Sequence, residues 1–228
     1  MNTNIEIVKG LYSDGKFVDE MVEHTKKELE ANQGLKIWET DVVSLFPVKS
    51  HILDIGCGAG REAFRLYDMG FAVTAIDICE KAIESAKEIA VATNRHISFL
   101  LTNGLELPFA DNTFDVVIMW SQTFGLFYGS ENQMRILSEC YRVIKKGGIL
   151  SFSGHDKEFC EGSHPQYVVD GKKFFGVADT DCYWELFTIS EITALAEAAE
   201  FEIISCKSDR VWQISEKPIL HCECRKLK

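Results

Sequence analysis

Two short stretches of this sequence hold residues whose types and spacing suit a nucleoside-like ligand. The first is the run Asp54, Ile55, Gly56, Cys57, Gly58, Ala59, Gly60. Glycines there let the backbone turn tightly and approach a ligand closely. A helix beginning just after them would offer free N–H groups. The second is Asp77, which closes the β-prone run FAVTAID. An ionised carboxylate accepts two charge-assisted hydrogen bonds, so Asp77 can take both hydroxyls of a ribose. It can also cap the helix that begins at CEKAIESAK, and the two roles are compatible. A dinucleotide fingerprint would need a glycine at position 61, where Arg61 stands. The spacing therefore points to a different partner, or to a tight turn with no ligand at all.

The tetrapeptide His221-Cys222-Glu223-Cys224 holds four metal-ligating residue types. In a strand, Cys222 and Cys224 point to one face and His221 and Glu223 to the other. Four ligands cannot converge from it, so no metal is expected, and burial of two small thiols is the better reading. The chain has 8 cysteines and no CxxC pair. With no basic start and apolar run at its N-terminus, reduced thiols in a cytoplasmic setting are expected.

These residues need elements to hold them. From His51 the chain alternates strand and helix patterns. HILDI, FAVTAID, HISFLLT, FDVVIMW and GILSFSG read as strands. AGREAFRLYDMG, closed by Gly70, and CEKAIESAKEIAVAT read as helices. A third helix, ENQMRILSECYRVIKKGG, is expected to stop at Gly147–Gly148. FEIISCK and ILHCECRK add two strands. Between them and the rest, Thr188 and Glu191 match a capping box for ISEITALAEAAE. The pattern predicts an α/β fold with a doubly wound, mostly parallel seven-stranded sheet and helices on both faces. Ligands bind such sheets beyond the carboxyl ends of the strands. Residues 1–50 are expected to form an N-terminal helical cap, and 51–228 the ligand-binding domain. An insertion at about 155–187 breaks the alternation, with a hairpin turning at Asp170–Gly171.

The runs LDIGCGAG, the acid of AIDI, the LPF of ELPFADNTFDVV, and VIKKGGIL occur in order. Together they resemble the successive motifs of class I S-adenosylmethionine-dependent methyltransferases. The resemblance covers residues 50–155 closely and FTISEITALAEAAEFEI more loosely. It implies a Rossmann-like sheet, S-adenosyl-L-methionine as cofactor and S-adenosyl-L-homocysteine as product.

By the same resemblance, Asp54 and the loop backbone of Gly56, Cys57, Gly58 and Gly60 would line the methionine end of the cofactor. Asp54 would attract its ammonium group, directly or through water. Asp77 would hold the ribose and Ile78 would lie against adenine. Asn103 stands where the family often has aspartate. Its amide oxygen would accept from the adenine amino group without charge assistance. Gly104 and Leu105 would add backbone contacts. Trp120 and Ser121 would flank the methionine portion and face the acceptor. Asp115 matches the family's FD pair and is given a structural role.

Methyl transfer is an in-line displacement from an already activated donor, so the protein mainly aligns the acceptor and excludes water. A base is needed only where the attacking atom must lose a proton. His155 is the first candidate, against the plain reading of a solvated loop histidine. His164, Tyr128, Tyr183 and Glu185 follow it. Trp120, Phe124, Phe127, Tyr128, Tyr183 and Trp184 would either wall an acceptor pocket or pack the insertion on the sheet. With 24 basic and 35 acidic residues the net charge is −11. That field repels phosphate backbones and anionic membranes, which points to a small-molecule methyl acceptor, neutral or cationic, with no nucleic acid and no membrane partner. Two competing readings are a nicotinamide-dependent oxidoreductase on a similar sheet and a non-catalytic S-adenosylmethionine-binding protein.

Overall fold

The computed structural model describes residues 3–11, 15–169, 173–175, 183–210 and 218–228. Three helices come first: α1 (Thr3–Leu11), α2 (Gly15–Glu30) and α3 (Ile37–Val43). The alternating part follows as β1 (His51–Ile55), α4 (Arg61–Asp68), β2 (Ala72–Asp77), α5 (Glu80–Ala92), β3 (Ser98–Leu101), β4 (Phe114–Met119), α6 (Ser130–Val143) and β5 (Ile144–Asp156). After β5 come α7 (Lys157–Ser163), β6 (Val168–Val169), β7 (Lys173–Phe175) and β8 (Tyr183–Phe187). The chain closes with α8 (Ile189–Ala198), β9 (Phe201–Arg210) and β10 (Pro218–Lys226).

The sheet runs β3-β2-β1-β4-β5, all parallel, and continues through β10 to β9. β10 lies antiparallel to both β5 and β9. It is therefore the one reversed strand of the seven, and the mostly parallel sheet expected from the sequence is present. Alternate strand residues face opposite sides, as the pleat requires. Leu53, Val117, Leu150 and Phe152 bury against α6 and α8. Ile52, Val116, Ile118 and Ile149 bury against α3, α4 and α5. Both faces are thus covered, which is why β4 is almost purely apolar. Each buried Leu, Ile or Phe contributes about 1.5–3 kcal/mol. On α5 the buried residues are Ala82, Ile83, Ala86, Ile89 and Ala90, one apolar stripe at helical spacing. The capping box at Thr188 and Glu191 also forms.

One helix ends earlier than its sequence suggests. α6 stops at Val143, and Ile144 to Gly148 already belong to β5. The carbonyls at its end are taken by outside donors. The N–H groups of Asn112 and Thr113 bond to Arg142 and Val143, and the buried ammonium of Lys226 bonds to Tyr141 and Ile144. A helix end so satisfied needs no glycine stop.

The insertion grows from the far end of β5. His155 and Asp156 pair in parallel with Leu186 and Phe187 of β8. β8, β7 and β6 then pair antiparallel. The expected hairpin is therefore seen in its strands, while its turn at Asp170–Gly171 lies outside the described residues. α3 packs Trp38, Val42 and Val43 into the same core as α4 and α5. α2 lies over α4 and α5, with Val18 buried against Cys79 and Ala82. No described helix is long and apolar enough to cross a membrane.

Candidate functional site

A cavity of about 230 Å³ lies along the carboxyl ends of β3, β2, β1 and β4. Its floor is the loop Gly56–Ala59. Asp77 and Ile78 after β2, with Thr102, Asn103 and Gly104 after β3, form one end. Arg61, Glu62, Ser121 and Thr123 form the other. Phe17, Met21, His24 and Thr25 of α2 roof it, with Val8 of α1.

The floor needs its glycines. Gly56 has φ +79°, and a Cβ there would meet the Thr123 side chain at 2.4 Å. Gly58 has φ +52°, and a Cβ there would meet the Met21 sulfur at 2.5 Å. The N–H groups of Gly56 and Cys57 both bond to the Ile76 carbonyl, at 2.8 and 3.0 Å. The loop is thereby strapped to β2. The Cys57 thiol turns into the core, so only its backbone belongs to the floor.

Asp77 ties the floor to the next helix. Its carboxylate accepts the N–H of Gly58 at 2.7 Å and that of Cys79 at 2.8 Å. The Ile78 N–H also acts on it, and the two oxygens together keep lone-pair capacity for an incoming hydroxyl. Burial pushes the carboxyl above its usual range, against the pull of these N–H groups. The N-cap of α5 is Cys79, whose sulfur accepts the Ala82 N–H at 3.4 Å. Asp77 thus supports the helix start through Cys79 and does not cap it directly.

Asp54, expected at the cofactor's methionine end, does not line the cavity and is buried next to Glu62 and Arg61 of its far wall. It is 2% exposed, and its Oδ2 is buried without a hydrogen-bond partner. Burial, then the neighbouring Glu62, hold its carboxyl well above the usual range. A buried carboxyl oxygen with no partner is costly, and an added donor at Oδ2 would relieve that cost.

Arg61 joins four segments. Its guanidinium forks onto both oxygens of Glu39 at 2.9 Å, donates to the Gly34 carbonyl, and contacts Glu62. It also donates to Ser121 Oγ at 3.0 Å, and Lys36 Nζ donates to the same oxygen at 3.3 Å. Ser121 Oγ in turn donates to Glu62 at 2.9 Å. With two bonds accepted and one given, the Ser121 hydroxyl has no capacity left for a ligand. Ser121 still lines the cavity.

Other candidates fall elsewhere. The Trp120 indole is buried beside Trp38 and Phe46, with its N–H on Ser151 Oγ at 2.7 Å. The Leu105 side chain lies in the core, and its N–H is taken by Asn103 Oδ1 at 3.1 Å. Gly104 lines the cavity with φ +76°. His155 lies at the β5–β8 junction against Trp184, off the cavity wall. Burial, then the charge of Lys36, pushes its pKa down to about 4. The imidazole on the wall is that of His24.

Glu185 accepts from Gly129 and Gln133 and so fastens β8 to the loop before α6. His164 packs near Phe159, and the Tyr183 side chain is outside the described residues. Among the aromatics, Phe127 reaches the cavity, while Phe124 is core. At the chain's end the two faces separate as the strand geometry required. Cys222 and Cys224 sulfurs lie 3.6 Å apart, and His221 bonds to Glu223 at 2.8 Å.

Residues 52–148 match the family model described as a methyltransferase domain. A putative methyltransferase of Bacillus subtilis, YqeM, is 30% identical over 128 residues, 56% of this chain and 51% of that protein. The ubiquinone/menaquinone biosynthesis C-methyltransferase UbiE of Zymomonas mobilis is 35% identical over 116 residues, 50% of this chain and 46% of that one. The chain thus spans about half the length of these relatives. In structure, an S-adenosylmethionine-dependent methyltransferase from Methanosarcina mazei superposes with a TM-score of 0.73 at 23% identity, over 82% of this chain and 97% of that one. Motif order, sheet order and these matches agree: residues 52–148 are similar to a methyltransferase domain, and the fold is shared with the Methanosarcina structure.

Proposed function

We propose that this protein transfers a methyl group from S-adenosyl-L-methionine to a small-molecule acceptor by in-line displacement. One observation carries the reading. Two acidic groups line opposite ends of one glycine-floored cavity, Asp77 at one and Glu62 at the other, with the unpartnered Asp54 Oδ2 buried next to Glu62 behind the wall. The cofactor has a ribose diol at one end and an ammonium group at the other, so the two ends fit.

In this reading Asp77 holds the ribose, while Ile78, Asn103 and Gly104 border the adenine. The backbone of Gly56, Cys57 and Gly58 runs beneath the sulfur, and Asp54 and Glu62 receive the ammonium. Gly60 contributes by setting the start of α4, with φ +91°. Ser121 offers backbone only. Leu105 and Trp120 support the site from the core, and His155 supports the β5–β8 junction. The cofactor supplies an activated methyl group, and the chain aligns the acceptor and excludes water.

The acceptor enters beneath the N-terminal helices, between Phe17, His24 and Thr25, so residues 1–50 act as the cap. The name of the Zymomonas relative, a quinone-pathway C-methyltransferase, supports a small ring as acceptor. The net charge of −11 favours a neutral or cationic one and argues against nucleic acid. A cytoplasmic setting suits the free thiols.

Calorimetric titration with S-adenosylhomocysteine and with NAD separates the readings. The proposal expects the first to bind and the second not to. Tight NAD binding alone would favour the oxidoreductase. A panel of metabolites and proteins offered with methyl-labelled cofactor then tests turnover. Transfer to none of them would favour a protein that binds the cofactor without using it.

A further inference from the structure

The second half of the N-terminal segment reaches the cavity by a buried polar chain. Glu39 of α3 is fully buried and does not line the cavity, yet it takes both ends of the Arg61 fork. Burial pushes its carboxyl up most strongly of any one cause, but the charge and hydrogen bonds of Arg61 and Lys36 together outweigh it and hold the carboxyl below the usual range. The pair is therefore ionised and bidentate, the strongest form of such a contact.

Arg61 then sets two groups on the cavity wall, Ser121 and Glu62. Ser121 and Gln122 are both non-glycine residues in the left-handed region, at φ +53° and +61°. Such a pair costs energy and persists only where its surroundings over-determine it. The surroundings do so here. Arg61 and Lys36 hold the Ser121 hydroxyl, and the Gln122 N–H bonds to Ser153 Oγ at 3.1 Å.

We propose that Glu39, 22 residues before Arg61, is a positioning residue for the methionine end of the cofactor site. It acts through Arg61, which fixes the Ser121 backbone and the Glu62 carboxylate. The N-terminal segment is then part of the cofactor site as well as its roof. This rests on the methyltransferase reading, since only that reading gives the cavity a methionine end.

Two ligands separate positioning from general support. S-adenosylhomocysteine carries the amino-acid portion. 5′-Methylthioadenosine ends just past the sulfur and lacks it. Both are titrated by calorimetry into the wild-type chain, Glu39→Gln and Arg61→Lys, each variant first checked for native circular dichroism. Arg61→Lys keeps the charge and loses the fork. Each variant should lose about tenfold or more in affinity for S-adenosylhomocysteine, the worth of a charge-assisted contact. Affinity for methylthioadenosine should stay within about twofold. If Glu39→Gln does not fold, Arg61→Lys gives the same reading. Equal losses for both ligands would mean a merely structural role and overturn the proposal, as would unchanged binding of S-adenosylhomocysteine. Failure of the wild-type chain to bind either ligand would strike the methyltransferase reading itself and take this inference with it.

Discussion

The backbone N–H of Ala59 donates to the thioether of Met21, 3.2 Å away. A loop amide that a ligand would cross is thus engaged by a side chain of the roofing helix α2. The same sulfur lies against Gly58. In the proposed reading the cofactor crosses this loop and displaces Met21, so α2 docking and ligand binding compete for it. Met21→Ala should speed association of S-adenosylhomocysteine and tighten it by about threefold, because the competing state loses its contact. Stopped-flow fluorescence measures both. Slower or weaker binding would show that Met21 packs on the ligand instead.

Asp77 serves the ligand and the fold together. Asp77→Ala removes an acceptor of two charge-assisted bonds and should weaken S-adenosylhomocysteine by about 100-fold. It also strands the N–H groups of Gly58 and Cys79, which should cost about 1–3 kcal/mol of stability. Asp77→Asn keeps an acceptor oxygen and should lose about tenfold. Calorimetry and urea unfolding read the two effects separately. Unchanged affinity in folded Asp77→Ala would move the ribose elsewhere.

Binding should release a proton. Asp54 has its carboxyl raised well above the usual value by burial and by Glu62. A raised carboxyl is protonated in the free site above its unfolded pKa. Contact with an ammonium group favours the ionised form, so the ligand expels the proton. Affinity should therefore rise with pH until Asp54 ionises in the free protein. Binding heats should differ between buffers of unlike ionisation enthalpy. In Asp54→Asn the proton release assigned to Asp54 should vanish. Identical proton release in the wild type and the variant would assign the proton to another group.

His155 makes a prediction about stability. Its pKa is pushed from 6.5 down to about 4, first by burial and then by Lys36. Between those values the unfolded chain binds the proton more readily. Stability from the neutral ring is full above pH 6.5 and is lost as pH falls toward 4, by at most about 3 kcal/mol. Urea unfolding at pH 5 and pH 7 should show this slope, and His155→Phe should flatten it. An equal slope in the variant would place the acid sensitivity elsewhere.

The sheet was legible because strand, glycine and carboxylate follow each other with fixed periods. Gly56, Gly58 and Asp77 could be found from that order alone. What the sequence did not show lies in contacts between distant residues. Arg61 could be noticed only as a missing glycine, since nothing in the spacing joins it to Glu39. Trp120 stands after β4 where a wall residue was expected, but its bulk goes where the core has room, beside Trp38 and Phe46. His155 fell at a strand end, where a base could stand. The pairing of β5 with β8 then covered it. Met21, Phe17 and His24 carried no motif, because a roof is selected by packing and any apolar helix of suitable length can supply it.

A co-crystal structure with S-adenosylhomocysteine is the most direct trial. The ribose hydroxyls should rest on the Asp77 carboxylate, with the amino group within reach of Asp54 Oδ2 and Met21 withdrawn from Ala59. Electron density for the ligand at any other place, or an empty cleft with Met21 still on the loop at saturating ligand, would contradict the account.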